Sequence, residues 1–536
     1  MKKSIVYIIL IVSVLLSIFY GVQKSGFHED EYYTYFSSNR SLGLYQPDRE
    51  WQDKQTIFDE FSVKPGEGFN YGLVKLVQSW DVHPPVYYFI FHTLCSMVPS
   101  TFTKWTGLIT NLIAFVISFL ALFALMKRLR LPYYVMLFVL GFWGLNPQTV
   151  SCNMLIRMYA WLTAAVFICA YLHVRFVQEY DSYKDDLKNF CVKLLLPIAA
   201  VSYIGVLIQY FYIFFFGCIG FALAVWMFFR KKDFRNTVVY VMGCGFSMVL
   251  AVLTYPAMLH HLLGGYRGTG ATGSMFDVKN TFMRLSFFTG LLNDFVFGGG
   301  LTVLAIMLAV GVAYLVATRK ERFDKTRFNI SAEVAILTAG TAGYFFLTTK
   351  AALLVGSASN RYEMPIYGLI ILLVMWALYY VAEKIGKDRV CVPIVTIVML
   401  AFLIKGHVTG NNVLFLYKED VDKINYAQAN SGEVAVVMFN PATPHNVWRL
   451  TDELLQYDRV FYMDEENLDP LTEQGVVNAG KIVLYVADDD FKEDAICNLV
   501  KSCEKLDSIR EVDSEDMWTT CEISGITEHR FDTPRE

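Results

Sequence analysis

The sequence predicts a helical membrane protein with several spans, followed by a smaller soluble α/β domain at the C-terminal end. Hydrophobic residues make up 55% of the 536 residues, aromatic residues make up 15%, and the mean hydropathy is +0.39. These values exceed those of ordinary soluble domains. The apolar residues are grouped into long runs that end near residue 405. The chain is therefore predicted to be an integral membrane protein.

Apolar segments long enough to span a bilayer recur along the first 405 residues. A helix needs about 18–20 apolar residues to cross the hydrocarbon. The first run, from Ile5 to Val22, is unbroken and lacks a small-residue cleavage motif, so we expect a retained spanning helix and not a signal peptide. About eleven spans are predicted. They cover residues 4–22, 107–126, 131–148, 153–174, 191–208, 211–229, 237–259, 296–317, 332–349, 363–382 and 390–405.

Short basic clusters between these spans predict the orientation. With eleven spans, the N-terminus and all the clusters share one side, which the positive-inside rule makes cytoplasmic. The loops at residues 23–106 and 260–295, and everything after about residue 406, are then extracytoplasmic. The net charge of −4 gives no indication of a nucleic-acid partner. The basic clusters lie at residues 127–130, 230–235, 319–327 and 383–389.

The segment "HPPVYYFIFHTLCSMVP" at residues 83–99 is too short to be a span, with about 13 apolar residues between its proline pairs. Proline suits the first turn of a helix, so Pro84 and Pro85 predict a helix start. We expect a re-entrant or interfacial helix within a long, structured first external loop. The predicted membrane domain thus covers residues 1–405, including the 23–106 loop.

Residues 406–536 change character and predict a soluble α/β domain with its own core. "GEVAVVMF", "RVFYM" and "KIVLYVADDD" have the composition of short strands, and residues 446–456 and 491–503 that of helices. Cys497, Cys503 and Cys521 lie in this domain. One disulfide and no disulfide both remain open, and the cysteine spacing does not indicate a metal site.

Acidic residues follow the first span on the predicted outer face. "GFHEDEYYTYFSS" contains Glu29, Asp30 and Glu31, and "DVHPP" adds Asp81 and His83. An acid within reach of a hydroxyl can act as a general base. The alternative for each acid is an ordinary solvated charge at the membrane surface.

Cationic residues from two other segments reach the same predicted face. "NPQTVSCNMLIRMYAW" carries Arg157 and Tyr159 at the start of a span, where an ionisable residue is costly without a partner or a function. "KAALLVGSASNRYE" adds Lys350, Arg361 and Tyr362. A guanidinium matches phosphate oxygens bidentately and stays charged. Acids and arginines at one leaflet predict a site that handles an anion and a proton, whereas a structural ion pair is the alternative for each arginine.

These motifs resemble the GT-C superfamily of membrane glycosyltransferases, in particular its protein-mannosyltransferase-like and aminoarabinose-transferase-like branch. The resemblance covers residues 1 to about 405, and the matching motifs are "HEDEYYT", "DVHPPVYYFIFH", "NPQTVSCNMLIRMYAWL" and "SNRYEMPIYGL". It implies transfer of a sugar from a polyprenyl-phosphate-linked donor on the extracytoplasmic side, with Asp30 as the base. Val86, Tyr87 and Tyr88 follow HPP where eukaryotic mannosyltransferases usually have a lysine nearby, so neither a mannose donor nor a protein acceptor is implied.

The expected reaction is an inverting displacement in which Asp30 accepts the proton of the attacking hydroxyl. Arg157, Arg361 and Lys350 are expected to bind the donor phosphate. Glu31 is the second candidate catalytic acid. It lies about 100° around a helix from Asp30 and is expected to pair with an arginine or to orient His83. The expected substrate contacts are His83, Asp81, Tyr159, Tyr362 and Arg267. Arg267 lies in the glycine-rich segment "GGYRGTGATG", which is expected to be a mobile loop. Two alternatives are open for this loop: it closes over the substrate as a lid, or it has no such role.

No cofactor is predicted. Glu29, Asp30, Glu31 and His83 offer ligands for a divalent metal, but their spacing does not require one. The expected partners are the donor, a lipid, polymer or protein acceptor, and membrane lipids, in a multi-pass protein of the cell membrane.

Two other functions are considered. A flippase or transporter for a lipid-linked sugar would need polar groups through the membrane depth, whereas here they collect at one face. A scaffold with a decayed membrane enzyme is disfavoured by the presence of Asp30, His83, Arg157 and Arg361.

Overall fold

The chain folds into two compact units. The computed structural model describes residues 2–39, 47–318, 330–386, 388–408, 412–503, 505–515 and 517–525. The first unit, here called the helical unit, consists of Met1–Gln23, Tyr71–Leu94 and Thr103–Leu416. The second, here called the sheet unit, consists of Lys24–Asn70, Cys95–Phe102 and Tyr417–Glu536.

Long apolar helices dominate the helical unit. Within the described residues, eight helices are long and apolar enough to cross a membrane, or up to ten if each of two bent helix pairs forms one span. The prediction of a multi-pass helical membrane protein is therefore confirmed, with eight to ten candidate spans in place of about eleven. The eight are Ser4–Gln23, Lys104–Arg128, Tyr159–Tyr183, Leu187–Ile208, Tyr212–Arg230, Phe234–Thr254, Met364–Ile385 and Val390–Val408.

Three of the eleven predicted spans differ from simple helices. Segment 131–148 falls in the bent pair Tyr133–Gly144 and Pro147–Met154, which meet at 49°, and segment 296–317 falls in the pair Val278–Val296 and Leu301–Ala317, which meet at 96°. Segment 332–349 forms the helix Ala332–Ala351, which is rich in threonine and glycine and is not among the eight. The basic cluster at 319–327 lies outside the described residues.

Local chemistry explains where the first bent pair breaks. The Asn146 side chain accepts a hydrogen bond from the Gln148 backbone N–H at 3.0 Å, which caps the second helix. Pro147 occupies its first turn, where a missing N–H costs nothing. The chain therefore restarts a helix at this point.

Helix Val86–Met97 is apolar but has only 12 residues. At 1.5 Å per residue it extends about 18 Å, well short of the hydrocarbon thickness of about 30 Å. The prediction that residues 83–99 do not span is confirmed. The other helices of this unit are Tyr71–Trp80, Ala257–Leu263, Tyr266–Phe276, Val278–Asn280, Thr281–Leu291 and Gly356–Tyr362.

The glycine-rich segment around Arg267 forms the helix Tyr266–Phe276, so the prediction of a loop was wrong. A Cβ atom at Gly268 would lie 2.4 Å from the carbonyl oxygens of His261 and Leu262. This glycine therefore allows the helix to pass close to the end of the preceding helix, Ala257–Leu263. Glycine is needed here because two backbone segments come close together, and it does not mark a mobile loop.

A six-stranded mixed sheet organises the sheet unit. Its strand order is β1-β3-β2-β4-β6-β5, with β2 parallel to β3 and β4 and with antiparallel pairing at both edges. The three strands predicted from the sequence are the parallel centre of the sheet. The strands are β1 (Glu50–Asp53), β2 (Val434–Phe439), β3 (Arg459–Asp464), β4 (Lys481–Ala487), β5 (Ser508–Glu515) and β6 (Trp518–Ser524).

Both faces of this sheet are buried, as is usual for parallel strands. Along β2, Val436 and Met438 belong to one apolar cluster, and Ala435 and Val437 belong to the other. All ten cysteines are free. The helices of this unit are Glu29–Asn39, Lys54–Asp59, Asp420–Ala429, Pro444–Leu450, Thr451–Leu454, Gln474–Val477 and Lys492–Ser502.

Strand β1 comes from the 23–106 segment and pairs with β3, for example through Trp51 opposite Phe461. Part of the segment expected to belong to the membrane domain thus shares a sheet with the C-terminal region. Such pairing between distant segments leaves no local pattern in the sequence.

Candidate functional site

In the helical unit, polar residues gather around Arg157, which is buried. Arg157 Nη2 lies 3.1 Å from His83 Nε2, and Nη1 donates to the Tyr88 hydroxyl at 3.2 Å. His83 Nδ1 lies 2.9 Å from Asp81 Oδ2. The structure therefore joins a carboxylate, an imidazole and a guanidinium, and it brings together three of the predicted site residues.

The hydrogen bonds fix the tautomer of His83. A guanidinium only donates, so His83 Nε2 must accept from Arg157. The ring proton then lies on Nδ1, which donates to Asp81. Asp81 thus orients the imidazole, and the imidazole orients Arg157.

The position of Arg157 follows from a break between two helices. The first helix ends at Met154 and the next begins at Tyr159. Asn111 Nδ2 donates to the carbonyl oxygens of Asn153 and Leu155 at 3.2 and 2.6 Å. It thereby supplies partners for backbone groups that a helix end leaves open, and the break becomes a fixed feature.

Asp81 carries its negative charge although it is half-buried. Burial alone would raise the pKa of Asp81, but the attraction of His83 and Arg157 and the hydrogen bond from His83 outweigh it. The pKa of Asp81 therefore lies below its ordinary value. An ionised Asp81 keeps the His83 proton on the nitrogen that faces it.

A second layer of polar residues behind this group escaped the sequence analysis. Tyr210 Oη lies 2.9 Å from His261 Nδ1, and His261 Nε2 lies 3.3 Å from the Ser79 carbonyl oxygen. Tyr255 Oη donates to the His83 carbonyl oxygen at 3.4 Å. These contacts hold the ends of the segment that carries Asp81 and His83. Nothing in the sequence distinguishes these side chains from other interfacial aromatic and histidine residues.

Arg361, Tyr362 and Tyr159 form a second group in the helical unit. Arg361 Nη2 donates to the Tyr362 hydroxyl at 3.3 Å, and the rings of Tyr362 and Tyr159 pack edge to face with centroids 5.9 Å apart. The buried Glu363 follows, and its Oε1 accepts from Thr349 at 3.4 Å. Glu363 is part of the "SNRYE" motif but had not been singled out.

Three helix N-termini meet through these two groups. His83 lies three residues before the helix Val86–Met97. Arg157 lies two residues before the helix Tyr159–Tyr183, and Tyr362 lies two residues before the helix Met364–Ile385. The His83–Arg157 contact joins the first two N-termini, and the Tyr159–Tyr362 contact joins the second and third. Helix N-termini carry partial positive charge and open N–H groups that favour anions. Two arginines at such ends make this region suited to a phosphate.

Lys350 lies at the end of helix Ala332–Ala351, and its ammonium is hydrogen-bonded to residues at the starts of helices Val278–Asn280 and Thr281–Leu291. Its Nζ donates to the Asp277 carbonyl oxygen at 2.5 Å, to Thr281 Oγ1 at 2.9 Å and to Asn280 Oδ1. Three bonds use the three donors of an ammonium. A phosphate would have to displace one of them, and the predicted role of Lys350 stays a prediction. Arg267 is exposed on its helix.

In the sheet unit, the three consecutive acids occupy the first turn of helix Glu29–Asn39, where the helix dipole favours negative charge. Glu31 is fully buried, lies 2.9 Å from Lys24 Nζ and accepts from the His28 backbone N–H at 2.6 Å. Lys24 is thus one partner of Glu31, and the expected contact with an arginine or His83 stays a prediction. Glu31 therefore stabilises the entry to this helix.

Asp30 is more accessible than Glu31, with 29% of its side chain exposed. Its Oδ2 lies 3.6 Å from His28 Nδ1, and its backbone N–H donates to the same nitrogen at 3.0 Å. His28 was part of the quoted motif but was not assigned a role. An accessible carboxylate beside an imidazole is suited to proton transfer.

Two further acids, the half-buried Asp452 and the buried Glu453, lie behind this helix in the sheet unit. Tyr32 Oη donates to Asp452 Oδ2 at 3.2 Å, and Glu453 follows directly. Burial raises the pKa of Asp452 to about 7 and that of Glu453 to about 8, and the neighbouring acids add to both shifts. The burial of Glu453 could not be predicted from the sequence, because acids in a short helical stretch are usually solvated. Among the described residues, no group of three or more His, Cys, Asp or Glu side chains is arranged to hold a metal ion.

Comparison with known proteins adds two structural similarities. No protein-family model matches the chain, and no curated protein matches it. The crystal structure of ArnT from Cupriavidus metallidurans bound to undecaprenyl phosphate aligns with a TM-score of 0.48 and 10% identity, over 96% of this chain and 97% of that chain. The apo structure of the same protein aligns with a TM-score of 0.45 and 10% identity, over 91% and 96%.

Both structures are of an ArnT, and the motifs quoted above resemble the aminoarabinose-transferase-like branch. The function proposed below depends on the chain's own residues.

The buried acids of the sheet unit predict a loss of stability as the pH rises. The pKa of Asp452 increases from 3.8 to about 7 on folding, so between these values the folded chain binds more protons than the unfolded chain. The free energy of unfolding should therefore fall from about pH 4 to pH 7, by at most about 4 kcal/mol through Asp452. Asp452→Asn should flatten the fall in melting temperature over this range in detergent-purified protein. Asp490→Asn, at an exposed acid, is the control, and identical pH profiles for the two variants would refute the prediction.

Proposed function

We propose that the chain is an inverting glycosyltransferase that moves a sugar from a polyprenyl-phosphate-linked donor to an acceptor hydroxyl on the extracytoplasmic face of the membrane. The observation that carries the proposal is the meeting of three helix N-termini with Arg157 and Arg361 at their starts. This arrangement favours a phosphate at the end of apolar helices. A lipid-linked phosphate is an anion that enters from such a membrane environment.

In the proposed reaction, the acceptor oxygen attacks the anomeric carbon while the bond from that carbon to the phosphate oxygen breaks. Asp30 takes the proton of the acceptor hydroxyl, and polyprenyl phosphate leaves with the electron pair. Arg157 and Arg361 stabilise the charge on the leaving phosphate, since fixed cations in a site with little water act strongly on developing charge. A single displacement inverts the anomeric centre.

The structure changes the proposed roles of several predicted residues. Asp81 and His83, expected to contact substrate, are proposed to position Arg157, because both contacts lead to its guanidinium. Tyr159 and Tyr362 are proposed to present aromatic faces to the donor. Glu31 is retained as the alternative base. Lys350 and Arg267 remain candidates for donor and substrate contacts.

A radiolabelled sugar-transfer assay tests the reaction. Purified wild-type protein is given a panel of polyprenyl-phosphate sugars and membrane extract as the acceptor source. We expect transfer by the wild type and a fall of about 10²–10⁴-fold in kcat for Asp30→Asn, the usual contribution of a general base. Asp490→Asn is the matched control and should keep the wild-type rate.

Other outcomes of that assay have definite meanings. Wild-type rates in Asp30→Asn would transfer the role of base to Glu31 or Glu29. If no donor supports transfer but the donor crosses the membrane of proteoliposomes, the chain is a flippase for a lipid-linked sugar. The latter result would refute the proposed reaction.

The proposed orientation places the N-terminus in the cytoplasm and the region after residue 406 outside, in the cell membrane. Cys497 provides a native probe, because it is the exposed cysteine among ten that are otherwise buried or half-buried. A membrane-impermeant maleimide should label Cys497 in intact cells that express the chain. Cys497→Ser should lose the label. Labelling that requires permeabilised cells would contradict the orientation.

A further inference from the structure

A cleft in the sheet unit has no role in the proposed reaction. It opens between the helix Asp420–Ala429, the helix Thr451–Leu454 and the strands β4, β5 and β6. Its volume is about 280 Å³, close to the lower end of the range of about 300–1,000 Å³ for small-molecule sites. A smaller cavity adjoins it at Arg449 and Trp518. The cleft is therefore large enough for a small polar ligand.

Glu453 lines both cavities although it is only 6% exposed. Apart from a contact with its own backbone N–H, its carboxyl group has no hydrogen bond or ion pair to another described residue. A carboxyl group on the wall of a cleft can be satisfied by a ligand or by water. Its raised pKa, caused first by burial, keeps it protonated at neutral pH. Glu453 can thus both donate to and accept from a ligand in the cleft.

The other polar groups are distributed around the walls. Asp422 and Asp513 contribute carboxylates, and Lys423 lies 3.7 Å from Asp513. Tyr426 Oη donates to Glu522 at 3.0 Å, which holds the Tyr426 ring against the cleft. Thr520 adds a hydroxyl from β6. Hydrogen-bonding groups and an aromatic ring therefore line the same cavity.

This distribution decides the class of ligand. Within the part of the chain that the structure describes, no three acidic or metal-ligating side chains converge on one point, so the acids are not arranged around a single ion. Separate acceptors and donors beside an aromatic ring match the hydroxyl groups and the apolar face of a sugar ring. We propose that this cleft is a saccharide-binding site for one to a few sugar units.

The saccharide has a further meaning if the chain is the proposed transferase. It would then be the acceptor or part of it, held by the sheet unit. The identification of the saccharide as the acceptor rests on the proposed function, whereas the binding of a saccharide in the cleft does not. Binding measured without any donor therefore separates the two ideas.

The test uses full-length protein in lipid nanodiscs, without donor, and equilibrium binding of defined probes. The probes are maltotriose, mannotriose and triacetylchitotriose as neutral saccharides, and spermidine as a cation without a sugar ring. We expect at least one trisaccharide to bind with a Kd of about 1 mM or tighter, and spermidine not to compete with it.

Variants locate the binding in the cleft. Asp422→Asn changes an exposed wall residue, and we expect about a tenfold weaker affinity, the usual effect of losing a hydrogen bond to a charged group. Glu453→Leu should weaken binding at least as much, whereas Glu453→Gln, which keeps a neutral donor and acceptor, should retain it. Glu433→Leu and Asp490→Asn make the same changes at exposed positions outside the cleft and should bind as the wild type does.

The proposal fails if no trisaccharide binds at about 10 mM, or if Asp422→Asn and Glu453→Leu both bind with wild-type affinity. It also fails if spermidine binds and the same variants weaken it, since the cleft is then a cation site. Should Glu453→Leu lose its cooperative melting, the result of Asp422→Asn decides alone, because that side chain is exposed and packs against no core.

Discussion

A buried guanidinium at the end of an apolar helix must be held by fixed polar groups, and the chain around Arg157 is arranged to supply them. Asn111 satisfies the carbonyls at the break before it, and Asp81 and His83 fix its direction. Because water is scarce near the hydrocarbon, these contacts determine where the helices can start. The meeting of three helix N-termini, and with it the proposed phosphate site, follows from this one constraint.

In the sheet unit, acidic side chains are likewise held by fixed polar groups. Glu31 is buried with Lys24 beside it, and the half-buried Asp452 accepts a hydrogen bond from the Tyr32 hydroxyl. Asp30, which directly precedes Glu31 in the chain, keeps a partly exposed carboxylate at the start of its helix. Neighbouring acids in one sequence motif thus lie in different environments, because Glu31 is buried in an ion pair and Asp30 is partly exposed.

The sequence was sufficient to predict the features that are local. It was insufficient to predict the features that depend on pairing between distant segments of the chain. Span-length apolar runs, the short helix after Pro85 and the central strands β2, β3 and β4 all leave periodic or length signals. Strand β1 does not, because its partner β3 lies about 400 residues away, and the hairpin of β5 and β6 is rich in charge. The grouping of Asp81, His83 and Arg157 was foreseen as residue types on one face, whereas the order of contacts, the role of Lys24 and the layer of His261 required coordinates. The glycines around Arg267 led to the wrong prediction of a loop, because glycine occurs both in mobile loops and where two backbone segments approach closely.

The binding of a polyprenyl phosphate tests the central claim most directly, since it needs neither an acceptor nor a known sugar. Its Kd would be measured for the wild type, for Arg157→Gln and for Arg175→Gln, the last removing a half-buried arginine that is paired with Glu179 at 2.9 Å. The account predicts at least about a tenfold loss of affinity for Arg157→Gln, as expected when a charged hydrogen-bond donor to phosphate is removed, and no change for Arg175→Gln. Equal affinity in a folded Arg157→Gln variant would contradict the account, because the phosphate site would then lie elsewhere.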